Sequence, residues 1–227
     1  MGESEIQVKR YKPVHIGVAT HFLGRYREFD FCLARLIYPP GSSFQYYMSV
    51  DVALNFNHMA DFVMNNPEYE YLWILGDDHL FADNLLINLM DRNVDIVTPL
   101  CVRRMFPYEP ILHYGPDHPE RPFCSIEKPW DILYGKSGLI EWHGTSGNAG
   151  MLIRRTVFEA MSPPYFEPGK TWPGVNGSDI YFWHKAQQAG FKTYLDLDNV
   201  IGHITHTSVW PKQDPETGKW SFLMRSP

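Results

Sequence analysis

The sequence predicts an α/β protein built on a largely parallel sheet, and three features of the chain lead to this fold class. Its 227 residues, 44% of them hydrophobic and 20% charged, suffice for one domain with a sizeable core. Strand-like and helix-like segments alternate through the first half, which is the order of parallel strands joined by crossover helices. The segment 71–75 (YLWIL) is continuously apolar, as expected of a central strand buried on both faces.

Each element of the first half is predicted from its side-chain pattern. Strands are expected where β-branched and aromatic residues run together, and helices where apolar residues recur at helical spacing. The predicted strands are 14–20, 44–50, 71–75 and 95–102, and the predicted helices are 27–38, 52–65 and 82–91.

The second half is less regular. Residues 103–136 are rich in Pro, His, Tyr and charge without periodicity, so a long loop is predicted there. Ser178 or Asp179 can cap a later helix and Gly190 can end it. The tail after Trp210 is predicted to be a surface arm. The other predicted segments are regular structure at 139–144 and 149–155, a short helix near 156–161, a loop at 162–177, a helix at 178–190, and two closing segments, KTYLDL and NVIGHITH.

Composition excludes several classes of protein. A net charge of −6 disfavours a broad nucleic-acid interface, which requires a basic face. The three cysteines, Cys32, Cys101 and Cys124, lack zinc-ligand spacing and fit reduced thiols. The charged N-terminal segment does not resemble a signal peptide, and no apolar run approaches the roughly 20 residues that span a bilayer. We therefore expect a cytoplasmic protein with no transmembrane segment.

An acidic pair and an imidazole follow the apolar strand directly. Gly76 is succeeded by Asp77, Asp78 and His79, at the strand end where open α/β sheets place ligands. Two carboxylates there suit Mg²⁺ or Mn²⁺ shared with phosphate oxygens. A solvated turn, with Asp78 or Asp83 capping the next helix, is the alternative.

Three further segments carry candidate chemistry. Asp179 is either a helix cap or a general base at a helix N-terminus. In VIGHITH, His203 and His206 fall on opposite faces of a regular strand, and either is a structural histidine or a ligand that favours Mn²⁺ over Ca²⁺. The glycine-rich stretch 143–150 (HGTSGNAG) is either a turn or a place where a ligand approaches the backbone.

Taken together, four stretches resemble glycosyltransferases of the GT-A fold, family 2 type. They are the apolar strand with its acidic pair, DIVTPLCVRR, IEWHGTSGNAGMLIRRTVFEAM and GSDIYFWHKAQQAGFKTYLDLDNVIGHI. The resemblance runs from about residue 14 to 206. It implies a single GT-A domain over 1–227, a Rossmann-like mixed sheet flanked by helices with 207–227 as a C-terminal arm. It also implies metal-dependent transfer of a sugar from a UDP- or GDP-sugar to a hydroxyl of a carbohydrate or other acceptor, and it favours inversion.

The resemblance also assigns roles to residues. In this family the acidic motif holds Mn²⁺ or Mg²⁺ against the diphosphate of the nucleotide-sugar. By this match Asp78 is the principal metal ligand, His203 a further ligand, and Asp179 the catalytic base. Asn55 falls in ALNFN, which resembles a helix start that lies near the donor.

The chain departs from the family pattern at the acidic motif. The usual first Asp falls on Gly76, so either Asp77 replaces it as a ligand or Asp78 and His203 hold the metal with more water. Ser178 stands where Glu is common.

A second departure concerns the donor phosphates. Leu54 stands where Arg is common, so Arg103 or Arg104 is expected to contact the diphosphate instead. The residues expected to contact sugar and acceptor are Trp142 and, in the loop 144–150, Gly144 and Gly147.

Two other functions stay open from the sequence. A nucleotidyltransferase would use the same metal on a similar sheet, although the segment after the first strand, ATHFLGRYREF, is only weakly basic. A carbohydrate-binding protein without transfer activity is the second, and Gly76 is the observation in its favour. No P-loop, nucleophile elbow, HExxH or dinucleotide-binding GxGxxG motif is present.

Overall fold

A mixed sheet of seven strands forms the centre of the computed structural model, which describes residues 11–20, 26–167, 177–205 and 208–225. In chain order the strands are β1 (Val14–Thr20), β2 (Ser43–Met48), β3 (Tyr71–Gly76), β4 (His79–Leu80), β5 (Ile96–Leu100), β6 (Leu112–His113), β7 (Leu139–Glu141), β8 (Thr145–Ser146), β9 (Met151–Arg154), β10 (Thr193–Val200), β11 (Gly202–Ile204), β12 (Ser208–Gln213) and β13 (Trp220–Arg225). The helices are α1 (Arg27–Arg35), α2 (Val52–Asn65), α3 (Leu85–Asp91), α4 (Pro129–Leu133), α5 (Arg155–Glu159) and α6 (Ser178–Gln188).

The central sheet has the strand order β2-β1-β3-β9-β5-β10-β7. Strand β1 pairs in parallel with β2 and β3, and β10 pairs in parallel with β5. Strands β9 and β7 run antiparallel to the strands they pair with. The arrangement confirms the predicted α/β class with a mixed sheet flanked by helices.

Strand β3 shows why its sequence is apolar throughout. Leu72, Trp73, Ile74 and Leu75 are all fully buried. Successive side chains of a strand point to opposite faces. Leu72 and Ile74 pack into a cluster with residues of α2, α5 and α6, while Trp73 and Leu75 pack with residues of α1 and α3. Because helices cover both faces, no position along this strand favours a polar side chain.

Strand β1 and helix α2 have the predicted bounds, whereas α1 and α3 are each three residues shorter than predicted. Helix α1 ends at Arg35 because Leu36 already has an extended backbone. Helix α3 begins at Leu85 with Asn84 as its N-cap, and Asp83 pairs with Arg35 at 2.9 Å instead of capping the helix. Among the described residues, none of the helices has the length and apolar character needed to cross a membrane.

The long loop predicted over 103–136 contains short regular elements. Strand β6 pairs with β8, so that Leu112 faces Ser146 and His113 faces Thr145. Helix α4 follows later in the same stretch. The two-stranded ribbon of β6 and β8, called here the β6–β8 ribbon, lies at the edge of the candidate site described below.

The tail is a hairpin where a surface arm was predicted. Strands β12 and β13 pair antiparallel, and with β11 and β4 they form a second sheet of four strands. Trp220 of β13 is only 4% exposed and stacks against Trp130 of α4, with 6.2 Å between ring centroids. The hairpin therefore belongs to the folded core and supports strand β11.

We expect Trp220→Ala to lower the free energy of unfolding by about 3–5 kcal/mol, because it removes a large buried side chain and leaves a cavity. Urea denaturation of the purified chain measures this change. Phe222→Ala on the same strand, where the side chain is 39% exposed, is the matched control and should cost about 1 kcal/mol or less. Equal losses from the two substitutions would mean that the hairpin is not anchored through Trp220.

Candidate metal and ligand site

A cavity of about 570 Å³ lies at the carboxyl ends of β1 and β3, where Thr20 and Gly76 are among its lining residues. This is the position at which open α/β sheets place ligands. The predicted site residues that line it are Asn55, Asp77, Asp78, Arg104, Gly147, Asp179 and His203. Residues far apart in the sequence thus converge on one opening.

Asp78 is an ion-paired carboxylate of the cavity. Its Oδ2 lies 2.8 Å from Arg104 Nη1 and 3.2 Å from His203 Nε2. Burial alone would raise the pKa of Asp78, but the hydrogen bond from His203 and the neighbouring positive charge of Arg104 bring that pKa well below its ordinary value. The side chain is therefore a carboxylate at neutral pH.

His203 has the orientation of a metal-ligating imidazole. Its Nδ1 lies 2.9 Å from the carbonyl oxygen of Val102, which only accepts, so Nδ1 carries a hydrogen and donates. The remaining nitrogen, Nε2, points to Asp78. Burial lowers the pKa of His203, but hydrogen bonds to Asp78 and Cys101 outweigh it and raise that pKa to about 10. A ring fixed through Nδ1–H to a carbonyl presents Nε2 to a cation once the Nε2 proton has left.

His79 completes a cluster with Asp78 and His203 whose possible ligand atoms all lie within 4.8 Å of one another. The backbone N–H of Gly76 donates to His79 Nδ1 at 2.9 Å. Burial lowers the pKa of His79 to about 4, so the ring is neutral and its hydrogen is on Nε2. Nε2 lies 3.8 Å from Asp78 Oδ1. His79 thus supports the carboxylate, and it lacks a free lone pair for a cation.

Gly76 is required by the packing of this cluster. A Cβ atom at position 76 would lie 2.6 Å from Asp78 Oδ1 and 3.3 Å from His79 Cε1. An acidic side chain there would have to displace both. Asp77 does not take its place in the cluster, because its Oδ2 accepts a hydrogen bond from the Thr20 hydroxyl at 2.6 Å. Of the two alternatives that the sequence left open, the geometry favours Asp78 with His203.

The donor set fits a divalent cation such as Mn²⁺. One carboxylate oxygen and one imidazole nitrogen are ligands that Mn²⁺ accepts, and two protein ligands leave positions for water and phosphate oxygens. Arg104 contacts the same oxygen of Asp78 and its side chain is 53% exposed. A cation that binds Asp78 therefore competes with the Arg104 guanidinium and with the Nε2 proton of His203.

Asp179 lies at the start of α6 on another side of the cavity. Its Oδ1 accepts the backbone N–H of Ile180 at 2.9 Å. Burial raises the pKa of Asp179, partly opposed by the backbone N–H groups of Ile180 and Asn148. Neither Ser178 nor Asp179 is the N-cap, which is Gly177 without a side-chain capping bond. The cap interpretation of Asp179 is therefore wrong. The predicted end of the helix at Gly190 is confirmed, since Gly190 has a φ of +90° just after the last turn.

Asn148 is a cavity residue that the sequence did not single out. Its Oδ1 and Nδ2 are buried and have no hydrogen-bond partner among the described residues. Buried amide groups are normally paired, so both atoms are available to a ligand. The signal in the sequence was weak, because the stretch SGNAG is equally typical of a turn.

Three predicted site residues lie elsewhere. Trp142 and Gly144 line a different cavity, and the Trp142 indole N–H donates to the carbonyl of Thr145 at 3.2 Å. Arg103 lines a neighbouring cavity, and Arg104 and His203 are also among the residues that line it. His206 lies outside the described residues.

No family model matches the chain. No curated protein matches it either. Among solved structures, it is similar to the crystal structure of A197 from STIV, at 14% sequence identity over 95% of each chain and with a TM-score of 0.60. A similarity at this identity supports the fold and carries no information on activity. The fold and the site together define a mixed α/β protein with a carboxylate–imidazole cluster at the strand ends.

We expect His203→Ala to weaken Mn²⁺ binding by about tenfold to a hundredfold or more, because it removes the nitrogen that faces Asp78. His79→Asn should leave the affinity about the same, since an amide oxygen can still accept the Gly76 N–H while the ring Nε2 is lost. Isothermal titration with MnCl₂ alone measures both. Melting curves of the two variants control for folding, and the opposite ranking in well-folded variants would make His79 the ligand.

Proposed function

We propose that the chain is a metal-dependent glycosyltransferase of the GT-A fold that moves a sugar from a nucleotide-sugar to a hydroxyl acceptor. One observation carries the proposal. The Asp78–His203 pair, which suits a divalent cation, and Asp179, a half-buried carboxylate whose pKa burial raises, line the same cavity at the carboxyl ends of parallel strands. A cation site and a base that share one cavity are what transfer from a diphosphate to a hydroxyl requires.

The donor half of the reaction is assigned to Asp78, His203 and Arg104. A divalent cation held by Asp78 and His203 would neutralise the charge on the departing nucleoside diphosphate. Arg104, released from Asp78, has the charge and the hydrogen-bond donors to contact a phosphate. Asn55 is 3% exposed and lines the same cavity, so it is suited to a polar contact with the donor.

The acceptor half is assigned to Asp179 and Asn148. A carboxylate whose pKa is raised by burial is a better base near neutral pH than an ordinary Asp. Asp179 would accept the proton of the attacking hydroxyl as that oxygen bonds to the anomeric carbon and the bond to the diphosphate breaks. Attack in line with the departing group inverts the anomeric centre. The unpaired Asn148 amide would orient a hydroxyl of the sugar or the acceptor.

Incubation of the full chain with UDP- and GDP-sugars, Mn²⁺ and hydroxyl acceptors tests the proposal. We expect release of nucleoside diphosphate, dependent on the cation. Release of pyrophosphate from nucleoside triphosphate and sugar phosphate would identify a nucleotidyltransferase instead. Binding of carbohydrate with no turnover of any donor would identify a carbohydrate-binding protein.

Asp179→Asn separates a base from a structural residue in the same assay. Asn keeps an oxygen that accepts the Ile180 N–H, so melting temperature and UDP binding should be unchanged. Turnover should fall by about 10² to 10⁴ because Asn takes up no proton. Asp83→Asn, at an exposed ion pair with Arg35, is the matched control and should retain activity. If folded Asp179→Asn turned over as fast as the unmodified chain, Asp179 would not be the catalytic base.

A further inference from the structure

A second cavity, of about 620 Å³, lies at the opposite end of the β6–β8 ribbon from the candidate site. Ile111 and Gly147, at one end of the ribbon, line the first cavity. Tyr114 and Gly144, at the other end, line the second. Among the described residues none lines both, so the second cavity is separate from the Asp78 cluster.

The lining of this cavity combines apolar and aromatic surface. The aliphatic part of the lining consists of Ile126, Ile132 and Ile140. The aromatic contribution comes from Tyr114, His118 and Trp142, and the rings of Tyr114 and His118 pack with 4.0 Å between centroids. Tyr114 and Trp142 are only half-buried, so part of each ring system is available to a ligand. Aromatic rings of this kind provide a rigid apolar contact with a polar edge.

Polar groups are placed among these rings. His113 lines the cavity, and its Nδ1 is buried with no hydrogen-bond partner in the part of the chain that the structure describes. Burial, with the nearby Arg103 charge, lowers the pKa of His113 to about 4, so the ring is neutral at physiological pH. Exposed carboxylates of Asp117 and Glu141 stand on the rim.

This chemistry favours an uncharged polyhydroxyl ligand over an anion. The described rim offers no excess of positive charge to a phosphate, because Asp117 accompanies Lys136 and Glu141 pairs with Lys192 at 2.8 Å. A neutral imidazole nitrogen pairs with a hydroxyl, and carboxylates accept hydroxyl hydrogens. Apolar floors with a few convergent polar groups, at volumes of about 300–1,000 Å³, are typical of ligand sites.

We propose that the second cavity is a binding site for a neutral saccharide. Trp142 and Tyr114 provide its apolar contacts, and His113, Asp117 and Glu141 are partners for hydroxyl groups. The inference goes beyond the proposed transfer reaction, because binding here needs neither a cation nor a nucleotide. If the chain also catalyses the proposed transfer, this site would bind a part of the carbohydrate acceptor that is distant from the reacting hydroxyl.

Titration of the ¹⁵N-labelled full chain with cellobiose, maltose, chitobiose, mannobiose and xylobiose, without metal or nucleotide, tests the proposal. We expect at least one disaccharide to bind at millimolar concentration and to shift the amide signals of residues 113–118 and 140–144. Absence of binding by every disaccharide would overturn the proposal. So would binding that shifts only the signals of the Asp78 cavity, or binding of the diamine putrescine without any disaccharide.

Three variants locate the site by calorimetry with the disaccharide that binds. Trp142→Ala should weaken binding by about tenfold through the lost ring. Glu141→Gln changes an exposed rim residue and should also weaken binding while the fold is kept. Asp83→Asn, at an exposed ion pair with Arg35 and outside the lining of this cavity, is the matched control and should bind the saccharide unchanged. Undiminished affinity in both Trp142→Ala and Glu141→Gln would contradict the proposal. Because no donor is present, these results are independent of the transfer assay.

Discussion

The architecture of the site depends on the burial of one carboxylate, Asp78, directly beyond a strand that is apolar on both faces. The backbone carbonyl of Asp78 accepts the N–H of Ile204 at 2.7 Å, which ties the turn after β3 to strand β11. Strand β4 then pairs with β11, so that His79 stands opposite His203. Backbone hydrogen bonds thus determine which imidazoles face the carboxylate.

The electrostatics of the cluster follow from that placement. A buried carboxylate is costly unless it is paired, and Asp78 is paired with a protonated His203 and with Arg104. Replacing such a pair by apolar residues is often neutral or stabilising, so the pair itself is weak support for a structural role. Titratable groups with displaced pKa values in a cavity are typical of functional sites. A divalent cation can replace Arg104 and the His203 proton, and its charge would still compensate that of the Asp78 carboxylate.

The sequence predicted well those elements whose pattern is local. Strand β1 and helix α2 were predicted because their apolar residues recur regularly between clear ends. The hairpin of β12 and β13 was missed because a contact that anchors it, between Trp130 and Trp220, joins segments distant in sequence. Asp78, Asp179 and His203 were singled out by their positions at a strand end, a helix start and a late strand, and the roles that the resemblance gave them stay predictions. Trp142 lies in a different cavity from these residues because of the β6–β8 ribbon, and no periodic pattern in the sequence predicts that ribbon.

The supporting role of His79 shows the same limit at atomic scale. Its residue type alone would have made it as good a ligand as His203. The difference is that a backbone N–H reaches Nδ1 in His79, whereas a carbonyl reaches Nδ1 in His203. Such a distinction is set by the path of the backbone around each ring. The structure therefore divides two neighbouring imidazoles into a support and a candidate ligand.

The measurement that tests this account most directly is the number of protons released when Mn²⁺ binds. His203, with its pKa raised to about 10, is protonated at pH 7 and must lose the Nε2 hydrogen to a bound cation. Calorimetry of Mn²⁺ binding at pH 7, in buffers of different ionisation enthalpy, should give release of about one proton. Affinity should rise about tenfold per pH unit between pH 6 and 9, because the deprotonated fraction of His203 rises tenfold per unit while the pH is below its pKa. Binding without proton release, at an affinity independent of pH, would contradict the Asp78–His203 site.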